Sequence, residues 1–209
     1  MLAIDHIVIA SKNPEQDAKE FEEKFGVKIV SGGKHTNWGT YNYLSFFKNN
    51  SYLEWLGVYD EDLAKKSDNP LIQRLIHFLD EGKTGPVTYA LRTKDMNHEL
   101  EHLKKHSTPF VGPLPGARKR EDGSTLGWRM LFPSKGKNLP FFIEWGDRIN
   151  LPNDKAMINS EKITTVRVPG IMDAYTAVFK FESHEKTMQL ENGKLEFTNN
   201  PKLDFSIND

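Results

Sequence analysis

Three ionisable side chains lie inside apolar, strand-like runs: His6 in Ile4-Asp5-His6-Ile7-Val8, Glu54 in Tyr52-Leu53-Glu54-Trp55, and Glu144 in Phe142-Ile143-Glu144-Trp145. Desolvating a bare charge costs several kcal/mol, so residues so placed are paired, hydrogen-bonded or bound to a metal. An imidazole with two carboxylates suits Zn, Mn, Fe, Ni or Co better than Ca and leaves positions for water or substrate. The plainer reading of each is a Glu against a buried Arg or backbone donor and a hydrogen-bonded core histidine. What favours the metal is repetition: Tyr52-Leu53-Glu54-Trp55-Leu56-Gly57 and Phe141-Phe142-Ile143-Glu144-Trp145-Gly146 share an apolar-Glu-Trp core. The absence of cysteine removes thiol nucleophiles, zinc fingers, iron–sulfur clusters and disulfides, so any metal must be held by imidazole and carboxylate.

The elements that position these residues form a repeated pattern. Residues 4–10 read as a buried strand. A helix follows from Pro14 to about Phe25, with Ala18, Phe21, Glu22 and Phe25 on one stripe and Gly26 placed to end it in a left-handed conformation. Strands at 27–30, 40–47 and 52–58 complete a β-α-β-β-β unit. A helix over 70–79 links it to a second such unit: strand 87–92, helix 96–106, an irregular strand within 109–127, and strands 128–132 and 140–145. After a polar stretch come a strand at 163–168, a short helical piece at 174–179, a hairpin around Asn192-Gly193 and a last strand at 203–207. The reading is therefore one domain of two fused units over 1–147 (units at 3–60 and 85–147, linker helix within 61–84). A β-rich extension over 148–209 is open to interpretation as a truncated third unit.

Composition limits the function classes. With 209 residues, 37% hydrophobic, 28 basic against 29 acidic side chains and a net charge of −1, the chain can bury a core and has no electrostatic footprint for nucleic acid or an anionic membrane. No apolar run approaches the ~20 residues that span a bilayer, and the first ten residues carry no basic leader. A cytoplasmic protein with a small-molecule partner is expected.

Asp5-His6-Ile7-Val8-Ile9-Ala10, Gly32-Gly33-Lys34-His35, Trp38-Gly39-Thr40-Tyr41-Asn42-Tyr43-Leu44, Tyr52-Leu53-Glu54-Trp55, and Trp128-Arg129 with Leu139-Pro140-Phe141-Phe142-Ile143-Glu144-Trp145 together resemble the glyoxalase-like branch of the vicinal oxygen chelate superfamily. The likeness covers about residues 3–147. It implies an α+β fold in which paired βαβββ modules form a curved, mostly antiparallel sheet around a central cleft, with modules pairing within a chain or across a homodimer. It also implies metal ligands on the first and last strands of each module, carried onto His6, Glu54, Thr88 and Glu144. Thr88 departs from the His or Gln usual at that place. That leaves His6, Glu54 and Glu144 as metal ligands and Glu54 and Glu144 as candidate proton carriers.

Around them, His35, Asn42, Trp128 and Arg129 are candidate substrate contacts: Asn42 as a donor to a substrate oxygen, Arg129 as a bidentate oxyanion clamp, with Arg118 and Arg120 as weaker candidates. His98-Glu99-Leu100-Glu101-His102 matches the H-E-x-x-H pattern, but Met96, Leu100 and Leu103 form the apolar stripe, which points His98 and His102 to a solvated face. Gly112 to Gly116 reads as a turn-rich loop and not a phosphate cradle. The resemblance implies a divalent metal acting as Lewis acid on adjacent substrate oxygens, with enolate stabilisation in an isomerase, lyase or dioxygenase. The alternative is a non-catalytic protein that sequesters an aromatic or apolar compound.

Overall fold

A computed structural model of the chain describes residues 1–120, 123–134, 139–170, 175, 178, 179 and 186–208. Contacts divide these residues into two compact units: a first unit of residues 6–87 and 151–162, and a second of residues 1–5, 88–150 and 163–208.

Strand β1 (Ala3–Ala10), which enters the first unit at His6, helix α1 (Pro14–Phe25) and strands β2 (Val30–His35), β3 (Thr40–Phe47) and β4 (Ser51–Val58) follow the expected β-α-β-β-β order. The spatial order is β2-β3-β4-β1, with β4 parallel to β1 and antiparallel to β3. Helix α1 starts where Asn13 accepts the Gln16 N–H and Pro14 occupies the first turn; it ends at Gly26, φ 69°, whose N–H reaches the Glu22 carbonyl. Its Phe21 packs 5.2 Å from Trp55, so α1 covers the Trp55 face of β4 and leaves the Glu54 face uncovered by α1. Helices α2 (Glu61–Lys65) and α3 (Pro70–Asp80) follow.

One strand differs from expectation. Strand β2 lies at Val30–His35 rather than 27–30, because the Gly32-Gly33 pair forms a β-bulge on β3 instead of a turn.

The second unit repeats the order with β5 (Gly85–Arg92), α4 (Met96–Lys105), β6 (Phe110–Lys119), β7 (Thr125–Pro133) and β8 (Phe141–Trp145). The arrangement here is β5-β8-β7-β6, again with last strand parallel to first. The segment expected as a loop with an irregular strand is a ten-residue strand, β6, paired with β7 over almost its whole length. A short β9 (Ile158–Asn159) pairs with β3 of the first unit. Strands β10 (Lys162–Pro169), β11 (Thr187–Gln189), β12 (Lys194–Thr198) and β13 (Asp204–Asn208) form a separate sheet ordered β11-β12-β10-β13. The helical piece expected at 174–179 lies outside the described residues except for Tyr175, Val178 and Phe179; Tyr175 packs on Phe197 at 4.8 Å and Phe179 on Phe142 at 5.3 Å. At the Asn192-Gly193 hairpin, the Asn192 side chain accepts from the Ile4 N–H (2.7 Å) and donates to the Ile4 carbonyl (2.9 Å). Asn192 thus completes the backbone pairing of β1 as a neighbouring strand would.

The repeats can be aligned without reference to side-chain type. Ser11 N–H donates to the Leu56 carbonyl where Ala10 pairs with Leu56; Thr93 N–H donates to Ile143 where Arg92 pairs with Ile143; Gly170 N–H donates to Thr198 where Pro169 pairs with Thr198. Ala10 and Arg92 are therefore counterparts, and the same backbone bonding recurs at Pro169. The start of each major helix agrees: Ser11 Oγ bonds Asp17 as Thr93 Oγ1 bonds Glu99, and Asn13 caps α1 as Asp95 caps α4. No helix among the described residues is long and apolar enough to cross a membrane.

Candidate functional site

On β1, β3 and β4 of the first unit, residues paired in register share a face. Pairing of Val8 and Leu44 with Glu54, Asn42 with Leu56, and His6 with Tyr52 puts His6, Asn42, Tyr52 and Glu54 on one face. All four are buried. His6 Nε2 lies 3.5 Å from Glu54 Oε2, and Asn42 Nδ2 donates to Glu54 Oε1 at 2.5 Å. The His6 ring stacks on Tyr52 with centroids 4.6 Å apart. A carboxylate is thus held with one oxygen on an amide and the other beside an imidazole, among Leu44, Phe46 and Leu56. Such a group can take a proton from carbon or oxygen and exchange it with the neighbouring imidazole.

The Asn42 amide, expected as a donor to a substrate oxygen, donates to Glu54. His35 lies farther along the same unit: it pairs with Thr40, and Thr40 with Val58, four residues along β4 from Glu54 and so ~13 Å away at ~3.3 Å per residue. Its Nδ1 is 3.0 Å from the Thr40 hydroxyl and its ring 5.7 Å from that of Trp38.

Glu144 has a different setting. Register places Glu54 two pairs before Leu56 and Phe141 two pairs before Ile143, so the counterpart of Glu54 is Phe141. Glu144, one past Ile143, is the counterpart of Gly57. Gly57 packs on Pro14 at the start of α1, where an added Cβ would come 2.5 Å from the Pro14 ring. Glu144 correspondingly accepts the Met96 N–H at the start of α4 (2.9 Å), and its other oxygen takes Arg129 Nε (2.9 Å) and Nη2 (2.5 Å). The apolar-Glu-Trp match is therefore out of register by three residues, and Glu144 binds a helix start and an arginine within the second unit. This corrects the equivalence of Glu54 and Glu144 on which their shared metal-binding and catalytic roles rested. Arg129, expected as a substrate clamp, has Glu144 as its partner, with Asn97 Oδ1 3.3 Å from Nη1. Trp128 is buried against Trp145, ring centroids 5.5 Å apart. Arg118 and Arg120 bind Asn150 Oδ1 and the Ile149 carbonyl.

The H-E-x-x-H stretch also differs from expectation. His98 is exposed on α4, but His102 is buried beside Leu103, its ring 4.4 Å from that of the exposed His106, because residue 102 lies with 96, 99 and 103 on the side of the helix turned inward.

A family model described as a glyoxalase-like domain matches residues 4–179. The chain belongs to the glyoxalase-like domain family, within the vicinal oxygen chelate superfamily. A solved structure of a hypothetical protein from Staphylococcus aureus is similar over 95% of this chain and 87% of its own, with TM-score 0.76 and 21% identity. A methylmalonyl-CoA epimerase variant from Streptomyces coelicolor in complex with 2-nitronate-propionyl-CoA is similar over 72% of this chain and 98% of its own (TM-score 0.50, 18% identity). Methylmalonyl-CoA epimerase from Mycobacterium tuberculosis is similar over 68% and 86% (TM-score 0.50, 19% identity). At these identities the likeness is one of fold. No curated protein matches the sequence.

Members of this superfamily commonly bind divalent metals on the first and last strands of paired modules. In this glyoxalase-like chain the register places His6 and Glu54 there in the first unit and Thr88 and Phe141 in the second. A phenyl ring offers no donor, and among the described residues no group of three or more His, Asp or Glu side chains is disposed to hold a metal ion. The residues present do not fit a four-donor cation site.

The sequence reading missed Gly32, whose role emerges only with Asn42. It also missed the buried Asp5, whose Oδ2 accepts from Arg92 (3.1 Å) and Trp145 Nε1 (2.8 Å). A charged residue beside His6 in an apolar strand was the available signal.

Proposed function

We propose that this glyoxalase-like protein acts on a small oxygen-bearing substrate by proton transfer at the carbon beside a carbonyl, with Glu54 as base and His6 as its proton partner. The observation that carries this reading is the buried Glu54 carboxylate, oriented by Asn42 and set 3.5 Å from the His6 imidazole. A buried ionisable pair rarely improves stability over apolar packing, so its retention favours chemistry. In the forward step Glu54 Oε2 accepts the proton from carbon, leaving an enolate. The proton returns to carbon from Glu54 or, after transfer, from His6. This agrees with the activity named for the epimerases of similar fold.

The experiment is deuterium wash-in. The protein is incubated in deuterium oxide with methylmalonyl-CoA, and separately with the hemithioacetal of methylglyoxal and a small thiol, and mass spectrometry reads label at the carbon beside the carbonyl. Wild-type protein is expected to exchange at least one of them, and Glu54→Gln to exchange it ~100-fold or more slowly. Exchange is also expected to survive chelator, since His6 and Glu54 are the two donors that register supplies. Exchange unaffected by Glu54→Gln would overturn the assignment. The second reading, sequestration of a ligand without turnover, is favoured by Thr88 and Phe141 at the other two donor places; saturable binding of either probe with only the uncatalysed rate of exchange would establish it instead.

A further inference from the structure

We infer that Asn42 is a positioning residue that fixes the carboxylate of Glu54, and that Gly32 is the clearance that lets it do so. The consequence for chemistry rests on the proton-transfer reading above; the geometry does not.

The first observation is the direction of the amide. Asn42 is buried and donates to Glu54 Oε1 at 2.5 Å, while its buried Oδ1 has no hydrogen-bond partner among the described residues. An amide that served packing alone would satisfy both ends, or would be replaced by an apolar side chain with nothing left unpaired. The reversed amide would set Oδ1 against a carboxylate oxygen, acceptor against acceptor, so Glu54 selects the orientation and Asn42 accepts an unsatisfied carbonyl in return.

The second observation is independent of that bond. Gly32 is the extra residue of the β2 bulge, between Ser31 paired with Tyr43 and Gly33 paired with Asn42. Its neighbour Gly33 has φ 107° and open space around an added Cβ, so there the backbone requires glycine. Gly32 is absent from the positive-φ residues. A Cβ there would instead lie 2.1 Å from Asn42 Oδ1, 2.9 Å from Asn42 Cγ and 2.9 Å from Leu44 Cδ1. What excludes a side chain at Gly32 is the side chains packed over it, the Asn42 amide foremost.

The second unit supplies the contrast. It carries the same one-residue bulge, between Val111 and Leu114, and since Leu114 pairs with Met130 as Gly33 pairs with Asn42, the place of Gly32 is taken there by Pro113, a residue with a side chain. With Phe141 at the place of Glu54, the register puts Met130 at the place of Asn42. The bulge belongs to the fold, whereas the amide and its clearance occur in the unit that has a carboxylate to hold. With Oε1 bound to Asn42, rotation of the carboxylate is blocked and Oε2 remains toward His6, the arrangement a base needs before substrate arrives.

The test is a double-mutant cycle read first without any substrate. The ¹⁵N shift of His6 Nε2 reports on the carboxylate oxygen beside it. Gly32→Ala is expected to move that resonance in the wild-type background, and to leave it unmoved once Asn42→Ala has removed the amide; Asn42→Ser replaces Asn42→Ala if the latter does not fold. Dispersed backbone spectra confirm that each variant is folded. Equal Gly32→Ala shifts in both backgrounds would mean that Gly32 and Asn42 act separately, and would overturn the proposal. In the wash-in assay, Gly32→Ala and Asn42→Ala are each expected to lower kcat about tenfold with KM little changed, and the double variant to lose no more than either alone. Coupling seen in the His6 shift together with no wild-type wash-in would sustain the positioning and remove the proton-transfer reading, so the two fail separately.

Discussion

Glu54 and Glu144 lie in near-identical sequence and do different work. Glu54 faces away from α1, beside a histidine and under an amide. Glu144 faces α4, binds the Met96 N–H and neutralises Arg129. The difference is a three-residue shift in where the Glu-Trp pair falls on the last strand, and three is odd. Side chains alternate along a strand, so an odd shift moves a carboxylate from one face of the sheet to the other. A carboxylate at a helix start is an electrostatic cap; on the helix-free face it is available as a base.

That comparison can be tested by exchanging the settings. The largest effect is expected from Phe141→Glu, which places a carboxylate at the register of Glu54 with Met130 where Asn42 would be. The loss should be ~3–5 kcal/mol in urea unfolding; a change under ~1 kcal/mol would show that the second unit can also house a charge there. The reverse exchange, Asn42→Met with Glu54→Phe, should abolish wash-in while leaving stability within ~1–2 kcal/mol of wild type, because apolar residues can replace a buried polar cluster at little net cost. A much larger loss would indicate that the cluster is held for folding. Glu144→Gln should lower stability by only ~0.5–1 kcal/mol, since Arg129 is 42% exposed and the helix start contributes most, and should leave wash-in unchanged. Loss of exchange in that variant would return Glu144 to the catalytic set.

The smallest effect concerns the two helices. Glu15 on α1 is held below the usual carboxylate range by the hydrogen bond and charge of Lys19, whereas register puts Asn97 at its place on α4. A lowered folded pKa contributes stability above the ordinary carboxylate pKa and loses it as pH falls through the lowered value. The pair is fully exposed, so Glu15→Gln should leave the melting temperature at pH 7 almost unchanged and slightly flatten its fall below pH 4.5.

Much of the fold was legible in the sequence because local signals agreed with one another. Pro14 and Gly26 bounded α1, Asn192-Gly193 marked its hairpin, and Thr88 as the place matching His6 agrees with the backbone register. That match holds because Ser11 and Thr93, five residues on in each unit, make the same turn-to-helix bonds, a local constraint on residue type. The apolar-Glu-Trp match carried no such constraint: any buried strand tolerates those apolar residues, and the register is set by hydrogen bonds to β1 and β5 that side-chain similarity does not encode. His6 and Glu54 could be nominated as costly residues in apolar strands. Asn42 could not be assigned its partner, since a donor on a strand has no sequence mark for which acceptor it meets. Gly32 carried no mark of its role beyond a Gly-Gly pair; a bulge needs the neighbouring strand to be seen.

The Asn192 clamp on Ile4 joins groups 188 residues apart in the chain, with Glu191 N–H on the Leu2 carbonyl beside it. During synthesis, β1 leaves the ribosome 188 residues ahead of Asn192, so the groups that finish its edge are made only after both βαβββ units. At 5–20 residues per second, roughly 10–40 s separate the two. Through that interval the start of β1 presents unsatisfied N–H and C=O groups, an edge open to a wrong partner. Co-translational folding of this protein therefore has a built-in waiting period that ends when the Asn192-Gly193 turn emerges.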